Sequence, residues 1–345
     1  MKKLHPHYKK YLLHKSIVAI KKKHKRQHKG YLSGLKFSQD ISENKPVILL
    51  NTYEEIWAPK NFTFSAETCE TVLNFIQKIK NAGNKYYNID LHLENVETIS
   101  NGVIVVLLSV LSDLVKKNRI HVKGNKPINF QARTILERSG FFKYVKGHVS
   151  IENLISKNII LQTGDETTLQ EALVPEIENA METVWGKKGR SPLLFGGIGE
   201  MMRNTCDHAF KQQEDITWHL GVSHFEETKT VKFCFIDNGE GIISTYSKKN
   251  VWQQIINYFQ NNAEMLYSAF KNGIQSRTGL KWRGKGLPTI YEMYTDGIIT
   301  NLKVITNDVL LDFDQDISMP LKIPFKGTCY FWQVNDKCSK SCFPL

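Results

Sequence analysis

The sequence predicts an α/β protein made of two successive α/β units, and three observations predict it. Between Pro46 and Arg138, strand-like and helix-like segments alternate, the pattern of a small layered unit. From Leu194 to Val334 a second group follows: a helix, a buried strand, a glycine-marked helix start and a closing strand. The 345 residues are long enough for two domains with proper cores. The organisation expected is a basic arm at 1–30, a linker with the first strand at 31–60, one α/β domain at 61–150, a second at 165–335 and a tail at 336–345.

In chain order, Pro46–Asn51 and Tyr86–Leu93 read as strands, with Ser65–Lys80 between them as a capped amphipathic helix. Gly102–Leu114 is nearly all apolar yet far too short to cross a bilayer, so it reads as a buried helix. A short strand at Arg119–Val122 and a helix at Phe130–Arg138 complete the first unit.

Three segments of the second unit carry chemistry. If Phe195–Phe210 is helical, 100° per residue gathers Glu200, Asn204, Asp207 and His208 on one arc and puts Phe195, Ile198, Met202, Cys206 and Ala209 opposite them. By itself this is also how a core helix with a solvated polar face looks. Its polar face, however, groups two carboxylates, an amide and an imidazole rather than Lys–Glu pairs. An amide oxygen suits Mg²⁺, which takes most of its other ligands from water and phosphate. A glutamate one turn earlier is placed to polarise an attacking oxygen. The second segment is the strand VKFCFI followed by Asp237-Asn238-Gly239-Glu240-Gly241. Such a run is ordinary turn chemistry. Equally, its carboxylate would accept a hydrogen bond from the exocyclic amine of adenine and reject the carbonyl of guanine. The third segment, Gly279-Leu-Lys-Trp-Arg-Gly284-Lys285, is most of a P-loop, but Gly286 stands where the Mg²⁺-binding hydroxyl belongs and no strand leads in. What is left is Gly284 and Gly286 before Leu287-Pro288, a helix start suited to phosphate, with Lys281, Arg283 and Lys285 beside it. Basic residues in a solvated loop look the same.

Together, over about Glu166 to Val334, these motifs in this order resemble the GHKL (histidine-kinase-like, Bergerat-fold) ATPase superfamily, an α/β sandwich that binds ATP with Mg²⁺. The resemblance implies Glu200 as catalytic base, Asn204 as Mg²⁺ ligand and Asp237 on adenine, with Gly239 and Gly241 near the nucleoside. It further implies Arg283, Gly284, Lys285, Gly286 and Leu287 at the phosphates. Lys326-Gly327-Thr328 before CYFWQV is similar to the family's closing Gly-Thr and would bring Thr328 near the adenine. Asp207 stands where gyrase-like members carry aspartate and His208 where anti-sigma kinases carry histidine, which leaves the subfamily open. Ile243–Arg283 would be the lid, helical around Val251–Phe270. The first unit, over about Asn61 to Val145, resembles a STAS-like domain, the fold of anti-sigma factor antagonists, through NIDLHLENVETISNGVIVVLLSVL and PINFQARTILERSGFFKYV. That family carries a phosphorylated serine in an Asp-Ser-Ser-Gly turn. Here the turn is Ile99-Ser100-Asn101-Gly102, with Asn101 at the acceptor position, so the phospho-switch does not carry over.

Residues 1–30 hold eleven Lys and Arg, five His and no acid, leaving only +1 of the chain's +12 for the other 315 residues. Such an arm favours nucleic acid or an anionic membrane surface, and a solubilising tail has the same composition. Leu12, Leu13, Ile17, Val18 and Ile20 give it an apolar face that suits peripheral membrane contact. Cys69, Cys206, Cys234 and Cys329 read as reduced core residues, and Cys338 and Cys342 as part of a polar tail. With no signal peptide and no cysteine framework, the expected compartment is the cytoplasm. Two classes of function are carried forward. One is an ATP-dependent regulator, ATPase or anti-sigma-type protein kinase, whose nucleotide state alters contacts of the STAS-like domain with protein partners or in an oligomer. The other is a non-hydrolysing ATP sensor whose arm holds nucleic acid.

Overall fold

The computed structural model describes residues 35–36, 53–85, 88–118, 120–143, 145–146, 158–163, 167–206, 218–247, 259–273 and 286–339. The basic arm, the strand expected at Pro46–Asn51, and Asp207, His208, Arg283, Gly284, Lys285 and Cys342 lie outside them. The chain is mixed α/β, with both parallel and antiparallel sheets.

The first unit contains β1 (Leu35–Lys36), β2 (Tyr53–Trp57), β3 (Asn61–Phe62), α1 (Cys69–Asn84), β4 (Asn88–His92), β5 (Thr98–Ile99) and α2 (Asn101–Asn118). It continues through β6 (Val122–Gly124), α3 (Phe130–Arg138) and β7 (Val145–Lys146). Strands β2, β4 and β6 form a parallel sheet in the order β2-β4-β6, and β3–β5 and β1–β7 are short parallel pairs. Helix α3 has the bounds expected from sequence, because Asn129 caps it by accepting from the Ala132 amide at 3.0 Å. Helix α1 begins four residues later than expected. Ser65 and Thr68 hold a turn in front of it, each accepting the other's backbone N–H, at 3.1 and 3.3 Å.

The second unit opens with β8 (Ile159–Thr163), α4 (Thr167–Trp185), α5 (Pro192–Asn204), β9 (Trp218–Phe225) and β10 (Thr230–Asp237). After it come α6 (Ile242–Ser247), α7 (Asn262–Asn272), α8 (Gly286–Thr295), β11 (Thr300–Asp312) and β12 (Ile317–Val334). Its five strands make one antiparallel sheet in the order β11-β12-β10-β9-β8. Alternate residues serve opposite faces. Phe233, Phe235, Tyr330, Trp332, Trp218, Leu220 and Val222 join one core with α4, α5, α7 and α8. Cys234, Ile236 and Cys329 join the other, together with α1 and α2 of the first unit.

Helix α2 therefore lies between two sheets, and this accounts for its composition. A helix apolar all round must be covered all round. Val103 to Leu108 are all buried, each side chain worth about 1.5–3 kcal/mol relative to exposure. Val105 packs where Gly221 of β9 has no side chain, and Gly102 lies against the ring of Phe331. At its start Ser100 Oγ accepts from the Val103 amide at 3.4 Å. The Ile99–Gly102 turn is thus the cap of α2, with Gly102 against Phe331 of β12.

Of two expectations, one is met and one is corrected. The helix expected around Val251–Phe270 is present in the described residues as α7 (Asn262–Asn272), with Ala263, Met265, Leu266, Ala269 and Phe270 buried in the core. It is set off by an Asn261 cap and a Gly273 terminus at φ 66. Cys338 is buried rather than part of a polar tail, because the chain turns back there and the Ser339 amide donates to Gly297 O at 2.7 Å. The five cysteines among the described residues are free thiols. No helix among the described residues is long and apolar enough to cross a membrane.

Candidate functional site

Asp237 ends β10 in register with Thr328 of β12 on one side and Trp218 of β9 on the other. The approach of β12 depends on Gly327, at φ 120, since any Cβ there would run into the carbonyl oxygen of Asp237. Asp237 is only 3% exposed. One carboxylate oxygen accepts from the Gly239 amide at 2.8 Å and the other from the Thr205 hydroxyl at 3.3 Å. Burial pushes its pKa up to about 6, against the pull of these bonds and of Thr328.

Helix α5 supplies the adjoining wall. Ser191 caps it and Pro192 opens its first turn. Its buried side is broader than the sequence arc implied, adding Leu194 and Met201 to Ile198 and Met202. Glu200 and Asn204, one turn apart on α5, both approach Gly286, the first residue of α8. A Cβ on Gly286 would stand 3.1 Å from the Asn204 carboxamide and 3.2 Å from Glu200 Oε2. Glu200 pairs with Arg203 at 3.1 Å. The Asn204 amide nitrogen is buried with no hydrogen-bond partner. Nitrogen and oxygen of such an amide are assigned by their surroundings. Turned over, the unpaired atom is an oxygen, a ligand fit for a hard cation. Among the described residues no group of three or more His, Cys, Asp or Glu could hold a metal.

These elements enclose one pocket, lined by Met201, Asn204, Asp237, Gly241, Ile242, Thr245, Tyr246, Leu287, Thr328 and Tyr330. The free space between these side chains is about 430 Å³ with its open mouth included. The structure thus brings Asn204, Asp237, Gly241, Leu287 and Thr328 to one cavity and sets Glu200 and Gly286 at its edge. The Gly239 amide is turned onto Asp237 and shapes the loop.

Several neighbours carried no sequence signal that singled them out. Thr205 holds Asp237, and Met201, Tyr246 and Tyr330 furnish the apolar walls. Asn238 points through to the other face of the sheet. Its amide nitrogen donates to Ser109 Oγ at 2.7 Å and to Ser109 O at 3.2 Å, in the middle of α2. From α1, Lys80 Nζ donates to the carbonyl of Lys326, beside Gly327, at 3.4 Å, and Glu70 Oε1 accepts from the Lys322 amide at 2.6 Å. Burial draws the pKa of Lys80 down to about 8, with Asp113 opposing. Neither protein-family models, nor curated proteins, nor solved structures give a match to this chain.

Proposed function

We propose that this chain is a Mg²⁺-dependent ATP-binding regulatory protein, an ATPase of the GHKL type whose nucleotide state is passed to its N-terminal STAS-like unit. The observation that carries this is the convergence of Asn204, Asp237, Gly241, Leu287 and Thr328, from separate stretches of sequence, on one pocket. In this reading the unshared lone pairs of Asp237 receive the adenine amine, and Met201, Leu287 and Tyr330 enclose the planar base. Asn204 and the N-terminus of α8 face Mg²⁺ and the phosphates, with Arg283, Gly284 and Lys285 preceding that helix in sequence. Mg²⁺ would supply charge neutralisation at the phosphates. Glu200 would polarise the attacking water, and its ion pair with Arg203 must open for it to do so.

The regulatory part rests on the polar links from α1 and α2 to the residues flanking the pocket floor. Asn238 follows Asp237 and is held by Ser109; Lys326 precedes Gly327-Thr328 and is held by Lys80. A change of position at the floor is felt by the N-terminal unit, which offers its outer surface to protein partners. The basic arm adds affinity for a polyanion. The Glu200–Arg203 pair favours one second reading, a chain that binds nucleotide and senses it without turnover.

Titration of the full chain with MgATP and MgGTP, followed by radiolabelled ATP with separate counting of free phosphate and labelled protein, tests these readings. Binding of ATP and not GTP, with release of phosphate, is expected. Glu200→Ala should keep binding and lose turnover. Absence of ATP binding, or equal binding of GTP, overturns the assignment. Label on the protein indicates a kinase, and binding without phosphate release indicates a sensor.

A further inference from the structure

Strand β11 is interrupted halfway along by Thr306 and Asn307. Its register with β12 shifts on both sides of Asn307, and Asn307 has φ 51, a left-handed conformation that Asn tolerates better than other side-chain-bearing residues. A bulge with a left-handed residue in the middle of a long strand needs compensation. Here the compensation lies in what the side chains reach.

Asn307 Oδ1 accepts from the amides of Ile243 and Ser244, at 3.0 and 3.3 Å, at the start of α6. Its Nδ2 donates to Glu240 O and to Ser244 Oγ, both at 2.8 Å. Gly241, at φ 85, lies against the same carboxamide, so closely that a Cβ there would overlap it. Thr306, fully buried, accepts from the Ile242 amide at 2.9 Å and donates to Gly327 O at 2.9 Å. The two residues therefore grip the segment Glu240–Ser244 and, through Thr306, tie it to Gly327 of β12, next to Thr328. Gly241, Ile242, Thr245 and Tyr246 on one side and Thr328 on the other line the pocket.

We propose that the Thr306–Asn307 bulge is the clamp that sets the spacing of the two pocket walls, which makes Asn307 a positioning residue for nucleotide binding. This rests on the ATP reading above. Asn307 does not line the cavity. It acts by holding the Gly241 elbow and the first turn of α6 at the distance from Thr328 that a bound base requires.

The test is a double-mutant cycle in the full chain with Asn307→Gly and Gly241→Ala. Asn307→Gly keeps the left-handed backbone and removes the grip, so strain and clamping are separated. MgATP affinity is measured by calorimetry well below each variant's melting temperature, so that loss of fold does not enter. Asn307→Gly should weaken MgATP about tenfold, the equivalent of one to two net hydrogen bonds. Gly241→Ala carries the strain of a side chain at φ 85 in either background, but the clash with the carboxamide only in the wild type, so it should weaken binding more in the wild-type background than in Asn307→Gly. A purely structural residue would lower the melting temperature and leave that coupling in affinity at zero. Equal affinity of wild type and Asn307→Gly, or additivity within about twofold, overturns the clamp while the ATP reading stands. A folded wild type that takes no MgATP overturns the ATP reading and this one with it. Asn307→Asp, which keeps shape and acceptors and loses both donations, replaces the glycine variant if that one does not fold, and the same weakening is expected.

Discussion

Replacing Asp237 by Asn should make the protein more stable and useless for nucleotide. Burial raises the Asp237 pKa from 3.8 to about 6. A carboxyl whose folded pKa is raised contributes stability that is fully present below the unfolded value, near pH 3.8, and is lost as pH rises through about 6. A shift of about two units corresponds to roughly 3 kcal/mol, an upper figure for what the ionised side chain costs the fold at neutral pH. Asn has the same shape. Its oxygen keeps the bond from the Gly239 amide, and its nitrogen can donate to the Thr205 hydroxyl, whose single hydrogen is then free to go to Met201 O, 3.1 Å away. Urea unfolding of both chains at pH 7.5 and pH 4 should show the Asn variant ahead by up to about 3 kcal/mol at the higher pH and level at the lower one. Calorimetry should show MgATP binding lost. If Asp237→Asn is no more stable than wild type at pH 7.5, or binds ATP as well, then the buried charge is not being held for a ligand and the reasoning fails.

Ser109→Ala leaves the buried Asn238 nitrogen with only Ser109 O, so unfolding free energy should fall by about 1 kcal/mol. If the N-terminal unit is coupled to the pocket, ATP affinity should fall as well, by up to about tenfold; lowered stability with unchanged affinity refutes the coupling. A chain starting at Tyr31 should keep its ATP affinity and lose polyanion binding. For six to ten phosphates contacted, binding by the full chain should weaken about 10³- to 10⁵-fold between 50 and 200 mM salt. Gel shifts with DNA and sedimentation with anionic liposomes separate the two polyanions, and no binding to either at low salt ends that reading.

Much of the first unit was legible because its signals are local. An Asn cap fixes the start of α3, and an uninterrupted apolar block announces α2 as buried. What covers the second side of α2 was not legible, since a helix that is apolar all round says that it is enclosed without saying by what. In the second unit, β10 and the CYFWQV end of β12 stood out as apolar runs next to glycine turns. Strands β9 and β11 did not. His219, Gly221 and Ser223 in β9 are buried against the first unit, so the strand has no apolar pattern on that face. In β11, Thr306, Asn307 and Asp308 break the run at the bulge. The site divides in the same way. Asp237, Gly241 and Thr328 sit in or beside short glycine-bearing runs whose chemistry shows in a few residues. Asn307 grips residues 63 to 67 positions earlier in the chain, and Asn238 meets a serine 129 positions away, separations that no local spacing can mark. The one sequence hint at Asn307 is its type, since Asn is disfavoured in strands and favoured at positive φ.

The position of α2 bears on how the two units can act together. The second sheet presents Cys234, Ile236, Ile305, Cys329 and the ring of Phe331 to the first unit, and these residues share one continuous core with Val103–Leu114. Separating the units would expose that face of the sheet along with most of an apolar helix, so their contact is held by burial and not by the polar links. The polar links serve a different end. Ser109 to Asn238 and Lys80 to Lys326 both meet the sheet next to Asp237 and Thr328, the two residues that face each other across the pocket floor. Were a bound nucleotide to displace this floor as proposed, the packed elements on both sides of the sheet would shift together rather than deform continuously. If the chain binds nucleotide as proposed and that binding is coupled to α2, the coupling runs in both directions: a ligand of the first unit's outer face that shifts α2 would alter nucleotide affinity by the same factor by which nucleotide alters that ligand's binding.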